Sequence, residues 1–202
     1  MRIVFFLYDG FTVLDAVGPF ETLARIPGAD VQFVAKQAGM VANDNGLIDI
    51  YAPLGIDEIE SADILVIPGG FADEAVRNDP HQMDWVRKIA ATTKVNASIC
   101  TGSLIFAAAG LLEGRKATTH WARYDVLRSY GAIPVEARWV DHGDIITAAG
   151  VSAASHRPAH QRRLCQGTPA RHRVCTGAAF PIRQGKHRGA ACYGACRQRD
   201  GR

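Results

Sequence analysis

Cys100 is the one cysteine in residues 1–154, and it closes an apolar run that stops abruptly. The string Asn96-Ala97-Ser98-Ile99-Cys100-Thr101-Gly102-Ser103 passes from a strand-like segment into the helix-like Leu104-Ile105-Phe106-Ala107-Ala108-Ala109. A strand that breaks into a helix at a nucleophilic residue flanked by small ones has the pattern of a nucleophile elbow, whose sharp turn lifts the side chain above the sheet edge. A cysteine there lies near a helix N-terminus, where aligned backbone N–H groups favour thiolate over thiol. The other reading of the same string is a buried structural cysteine.

Several residues could serve such a nucleophile. Gly69-Gly70, after Ile67-Pro68, ends a strand with no side chains in the way. Their N–H groups, with that of Thr101, would form oxyanion-type donors; a plain turn is the alternative. Asp15 lies in the apolar Val13-Leu14-Asp15-Ala16-Val17-Gly18-Pro19, where a carboxylate is costly unless paired or working. Glu21 follows six residues later. Desolvation would raise the pKa of either carboxyl and make it a proton donor; for Asp15 the competing role is a helix cap. Thr101 either offers its hydroxyl to a substrate or caps the helix after the elbow. His120, in Thr118-Thr119-His120-Trp121, is a candidate base, although a histidine beside a tryptophan more often serves structure. One cysteine and three scattered histidines in residues 1–154 lack metal-ligand spacing. No phosphate-binding glycine motif occurs.

The elements needed to position these residues are legible as alternating strands and helices. Ile3–Tyr8 and Asp63–Ile67 are continuous apolar runs, as in parallel strands buried on both faces. A helix is expected through Leu14, Val17, Phe20 and Leu23, with Thr12 as its cap and Pro27-Gly28 closing it. Val31–Ala35 reads as a strand, and Asn43-Asp44-Asn45-Gly46 as the turn of a hairpin within Met40–Tyr51. Pro80–Thr93 is amphipathic, with Met83, Val86, Ile89 and Ala90 on one face. After the elbow come Lys116–Thr119, a helix over Ala122–Tyr130, and strands Glu136–Val140 and Asp144–Ala148 joined at His142-Gly143. The pattern predicts an α/β fold with a doubly wound, mostly parallel sheet sandwiched by helices. Ligands of such sheets bind beyond the carboxyl ends of the strands, where Gly69-Gly70 and Cys100 should lie.

Composition narrows the class. The 202 residues suit one α/β domain. There is no run of 18 apolar residues, and the N-terminus enters a strand rather than a signal sequence, so a cytoplasmic protein without membrane partners is expected. The net charge of +3 conceals two unlike parts: residues 1–154 carry 12 basic and 19 acidic side chains, and residues 155–202 carry 11 basic and one acidic. The acidic body argues against nucleic acid as its partner.

These motifs together resemble the DJ-1/PfpI superfamily (class I glutamine amidotransferase-like architecture). The resemblance rests on Leu14-Asp15-Ala16-Val17-Gly18-Pro19, Ile67-Pro68-Gly69-Gly70, Cys100-Thr101-Gly102-Ser103, Ala108-Ala109-Gly110-Leu111-Leu112 and Ala117-Thr118-Thr119-His120-Trp121. Within the superfamily it is strongest to the isonitrile hydratases. It implies a nucleophilic Cys100, Asp15 as its acid–base partner and Thr101 as a required neighbour. It also implies addition of water to a small isonitrile through a cysteine thioimidate, with Gly70 and Thr101 amides orienting the reacting group. No cofactor is expected, and a homodimer is. The superfamily's proteases carry histidine directly after the nucleophile; Thr101 in that place points away from proteolysis. Two other classes share the motifs: a ligand- or redox-sensing domain like that of AraC-type regulators, and a DJ-1-like glyoxalase or deglycase acting on carbonyl compounds.

The resemblance covers residues 3 to about 153, giving a domain over 1–153 and a basic tail over 154–202. The tail keeps no helical or strand period and is expected to be disordered. Its cysteines, Cys165, Cys175, Cys192 and Cys196, fit no zinc spacing. Back-translation of His172–Pro181, read from the second base of each codon, admits Ile-Glu-Tyr-Ala-Pro-Ala-Pro-Pro-Phe. That string is similar to the ending of the hydratases, so the tail reads as a shifted frame, a hypothesis that the coding DNA tests. An uninterrupted frame with no family-like alternative would dismiss it.

Overall fold

The computed structural model describes residues 1–150; the expectations for residues 154–202 lie outside the described residues. In chain order the elements are β1 (Arg2–Phe6), α1 (Val13–Leu23), β2 (Asp30–Ala35), β3 (Gly39–Ala42), β4 (Asp49–Ala52), β5 (Leu54–Gly55), β6 (Ile64–Ile67) and α2 (Asp73–Arg77). They continue with α3 (Pro80–Ala90), β7 (Val95–Ile99), α4 (Gly102–Ala108), β8 (Lys116–Ala117), α5 (Tyr124–Ser129), β9 (Ile133–Pro134), β10 (Trp139–Asp141) and β11 (Ile145–Ala148).

A seven-stranded sheet runs β10-β11-β7-β6-β1-β2-β5. Only the β10–β11 pair is antiparallel; the β1–β2, β1–β6, β6–β7 and β7–β11 pairs are parallel. The doubly wound, mostly parallel sheet expected from the apolar runs is therefore what forms. β1 shows why those runs lack polar breaks. Ile3 and Phe5 pack with Leu23 and Ile26 on one face, while Val4 and Phe6 pack with Val86, Ile89 and Phe106 on the other. A strand covered on both faces has no solvent side to make polar, and each fully buried large side chain there contributes about 1.5–3 kcal/mol.

The chain leaves β1 toward β2 on one side and returns to β6 on the other, so the winding reverses between β1 and β6. At that switch point the loop after β1 meets the loop after β6 through a bridge between Phe11 and Gly70. The close approach requires glycine, because a Cβ at Gly70 would lie 2.2 Å from the Gly10 carbonyl oxygen.

The buried face of α1 differs from the expected one. Asp15, Ala16, Pro19 and Leu23 face inward, and Leu14 is 53% exposed. Asp15, Pro19 and Leu23 are spaced by four, so the carboxylate shares the line of side chains that docks on the sheet. Thr12 occupies the N-cap position without making a side-chain cap bond; its hydroxyl donates to Asp44 Oδ2 at 2.9 Å instead. The hairpin around Asn43–Gly46 forms as read, pairing β3 with β4. The short β5, α2 and β9 carry too few residues to show a period.

Candidate active site

Cys100 follows the last residue of β7 and is the only non-glycine residue with positive φ (55°) among the described residues. Such a conformation costs an L-residue about 1–2 kcal/mol, and its surroundings hold it there. Cys100 N–H donates to the Ala148 carbonyl at 2.8 Å. The hydroxyls of Ser103 and Thr119 each donate to the Cys100 carbonyl at 3.1 Å. Gly102 must be glycine because a Cβ would lie 2.3 Å from the Ile67 carbonyl oxygen. These contacts make the elbow that the small residues around Cys100 suggested.

Asp15 is brought to the elbow by α1. Its side chain is fully buried, with Oδ2 accepting the Gly69 N–H at 3.2 Å and Oδ1 without a partner. Gly69 is the hinge of the arrangement. A Cβ on it would lie 2.6 Å from Cys100 Cβ, 2.7 Å from Thr101 N and 2.9 Å from Asp15 Oδ2. The missing side chain thus marks the point where the carboxyl, the nucleophile and the elbow backbone converge.

The electrostatics follow from that crowding. Burial, then the charge of Asp44, raises the Asp15 carboxyl to about 7, against the downward pull of the Gly69 N–H and the Cys100 side chain. Burial, then the Asp15 charge, pushes the Cys100 thiol up to about 12, with only the Thr101 N–H a sizeable opposing influence. The thiolate expected from the helix terminus is therefore not the resting form. α4 has seven residues, and its partial charge is outweighed by desolvation and a carboxylate. Near neutrality the pair holds a protonated sulfur beside a carboxyl shared between its two forms.

Thr101 is placed differently from either reading of it. Its Oγ1 accepts the Gly70 N–H and donates to the Gly70 carbonyl, both at 2.9 Å, and makes no cap bond to α4. It fastens the end of β6 to the elbow. The donors expected from Gly69 and Gly70 are consequently engaged, the first by Asp15 and the second by Thr101, because the bare glycine backbone admits those side chains. Of the three amides, the Thr101 N–H is the one directed at sulfur.

Two candidates make their contacts elsewhere. Glu21 lies on the outward side of α1, 57% exposed and paired with Arg25 at 2.8 Å, because a step of six from Asp15 carries it away from the docked line. His120 accepts the Ala122 N–H on Nδ1 at 3.4 Å and stacks on Trp121 with ring centroids 5.4 Å apart. Its position caps the turn Trp121–Arg123, the structural role. No three His, Cys, Asp or Glu side chains among the described residues converge into a metal-binding set.

Sequence reasoning missed three neighbours. Tyr8, at the end of β1, is buried and donates to the Pro68 carbonyl at 3.1 Å; burial and the charges of Asp73, Asp15 and Cys100 hold its phenol well above the usual range. Asp73 and Arg77 pair at 2.9 Å with side chains 2% and 10% exposed, and Arg77 donates to the Tyr130 hydroxyl at 2.9 Å. Their spacing of four was a usable signal, in a helix too short to be recognised. A cavity of about 400 Å³ beyond β1 and β2, lined by Tyr8, Lys36, Gln37, Val76 and Gln82 among others, includes neither Cys100 nor Asp15. The candidate site thus rests on the convergence of reactive groups, not on the size of a cavity.

Residues 1–156 match the DJ-1/PfpI family. The chain belongs to that family. Among curated relatives of this DJ-1/PfpI chain, the isonitrile hydratase of Pseudomonas putida is 37% identical over 153 residues, spanning 76% of this chain and 67% of the relative. A deglycase of Thermococcus kodakarensis is 30% identical over 150 residues, spanning 73% of this chain and 89% of the relative. A solved ThiJ/PfpI family structure from Pseudomonas syringae superposes with a TM-score of 0.73 at 38% identity, spanning 76% of this chain and 64% of that one. The chain thus covers less than two thirds of that solved protein's length. No described helix is long and apolar enough to cross a membrane.

Proposed function

We propose that this chain is a cofactor-independent hydratase that adds water to a small isonitrile, with Cys100 as nucleophile and Asp15 as acid–base partner. One observation carries the reading: the thiol faces a fully buried carboxyl whose Oδ1 has no partner and whose proton affinity lies near neutrality. A carboxyl so poised can both take and give a proton at working pH. The chain's similarity to the Pseudomonas putida isonitrile hydratase supports an isonitrile as the substrate class.

Atoms and electrons balance at each step. Ionised Asp15 takes the thiol proton as sulfur bonds to the terminal carbon of the isonitrile, then returns it to that carbon. The product is a thioimidate, S–CH=N–R. Water adds to the carbon, the C–S bond breaks, sulfur recovers a proton and an N-substituted formamide leaves. Because the thiol rests protonated, the nucleophile is generated only as the bond forms, and covalent attachment divides the hydration into two easier additions. Thr101 serves by holding Gly70 and the strand end in place, and its N–H faces the sulfur.

The test is formamide production from cyclohexyl isocyanide, with Cys100→Ala and Asp15→Asn as controls. Turnover lost in both variants supports the assignment; turnover that survives Cys100→Ala overturns the mechanism, and none in the parent chain overturns the reaction. The similarity to a deglycase favours a second reading, in which the same cysteine acts on carbonyl compounds, and a glycated amino acid assayed in parallel separates the two. The expected homodimer is part of the proposal as well. Met40, Leu47, Ile48 and Tyr51 of the β3–β4 hairpin are 62%, 85%, 50% and 60% exposed, an apolar surface of the kind an interface covers.

A further inference from the structure

The turn Asn43-Asp44-Asn45-Gly46 holds itself together with its asparagines. Asn43 Oδ1 accepts the N–H groups of Leu47 and Ile48, and Asn45 Oδ1 accepts that of Leu47. Asp44 is free of that duty and turns the other way, toward α1. Its Oδ2 accepts the Thr12 hydroxyl at 2.9 Å, its Oδ1 accepts Asn43 Nδ2 at 3.4 Å, and its N–H donates to the Phe11 carbonyl at 2.9 Å. Thr12 is itself fixed to the site, since its N–H donates to the Gly69 carbonyl at 2.8 Å and its carbonyl accepts the Asp15 N–H at 3.1 Å. Gly69 N–H then donates to Asp15 Oδ2, closing a ring of contacts through Thr12, Asp15 and Gly69 to which Asp44 is fastened by the Thr12 hydroxyl. Asp44 is half-buried, and among the described residues no lysine or arginine forms an ion pair with it.

We propose that Asp44 is a positioning residue of the Cys100 site, acting through Thr12 and through its own charge, so that the β3–β4 hairpin as well as α1 governs the Asp15–Cys100 pair. The proposal rests on Asp15 being the partner of Cys100, as argued above. The groups that face Asp15 are Cys100 from the elbow, Tyr8 from the end of β1 and Asp44 from the hairpin. Asp44 is the one that stands outside the site and can be changed without touching a reacting atom. A second carboxylate near the first disfavours its ionised form, in agreement with the contribution of Asp44 to the raised Asp15. The hairpin therefore delays the loss of the Asp15 proton, and a hairpin that shifted would release it.

The test is the rate of Cys100 alkylation by iodoacetamide across pH 5–10, read on the Cys100 peptide of the full chain by mass spectrometry. As pH rises the logarithm of the rate climbs, then bends where Asp15 ionises, because the new carboxylate opposes the thiolate. In the parent chain the bend is expected near pH 7, from the Asp15 value of about 7. In D44N it should fall to lower pH, because the neighbouring carboxylate that opposes Asp15 ionisation is gone. T12V, which keeps the Asp44 charge but cuts its tether, should move the bend in the same direction, and D44E should restore it. A bend in D44N and T12V that coincides with the parent's overturns the proposal, and T12V alone decides it if D44N does not fold. A parent chain with no bend, or one whose bend persists in D15N, instead removes the Asp15 assignment itself.

Discussion

Replacing Asp15 by asparagine should change how stability depends on pH, in a direction that the burial of the carboxyl fixes. The folded chain raises this group from 3.8 to about 7, so between those values the native state binds a proton that the unfolded state has released. Stability is greatest below the unfolded value and falls as pH rises through the folded one. The full change is about 4 kcal/mol, since each pH unit between the two values is worth about 1.4 kcal/mol. Solvent does not screen this contribution, because Asp15 is fully buried. The asparagine of Asp15→Asn cannot ionise and removes this dependence, although its amide N–H₂ must settle where Oδ1 of the parent has no partner, at a cost of about 1–3 kcal/mol. The parent–variant difference should therefore move in the variant's favour by about 3 kcal/mol between pH 5 and pH 9, the share of the full change that falls above pH 5. Urea unfolding of both chains at half-unit steps from pH 5 to 9 measures the difference. Other groups that titrate in that window are common to both and cancel, and in the parent Cys100, pushed up to about 12, stays protonated throughout. A parent–variant difference that is flat across the window would refute the reasoning, for it would mean that Asp15 is ionised in the folded chain at every pH tested.

Three further outcomes follow from the same geometry. At pH 7 Cys100 should react with iodoacetamide about 100- to 1,000-fold more slowly in the folded chain than the same peptide does in urea, because its thiolate is scarce; equal rates would show a free thiolate. Thr101→Val leaves the Gly70 N–H and carbonyl without their hydroxyl, so thermal unfolding should register a loss of about 1–3 kcal/mol along with lower formamide turnover. Arg77→Met strands Asp73 in a site where it is 2% exposed, which should cost about 3–5 kcal/mol in chemical denaturation, whereas Asp73→Asn combined with Arg77→Met should recover part of it.

Much of the fold was legible because it is written in local pattern. The unbroken apolar runs of β1 and β6 and the abrupt end of β7 at Cys100 require a two-faced sheet, and Asn43–Gly46 requires a turn. The elements that escaped are those too short to show a period. Five residues make up α2 and two each make up β5 and β9, and their conformations are set by neighbours, not by propensity. The buried face of α1 is not legible in its apolar pattern either. Leu14 is a better apolar residue than Asp15, yet Asp15 lies on the line with Pro19 and Leu23 that docks on the sheet, and burial there is decided by where the helix lands.

Local residue pattern suffices to put a lone cysteine at a strand-to-helix junction, a carboxylate among apolar residues and paired glycines at the end of a strand. What these groups do to one another depends on the packing that brings them together. Proton affinities depend on distance and desolvation, which no spacing along the chain records. The structure thus made Cys100 a resting thiol where the helix terminus alone favours thiolate. It committed the Gly69 and Gly70 amides to Asp15 and Thr101, turned Glu21 to solvent, gave His120 to a turn, and brought Asp44 from a separate hairpin to the side of Asp15.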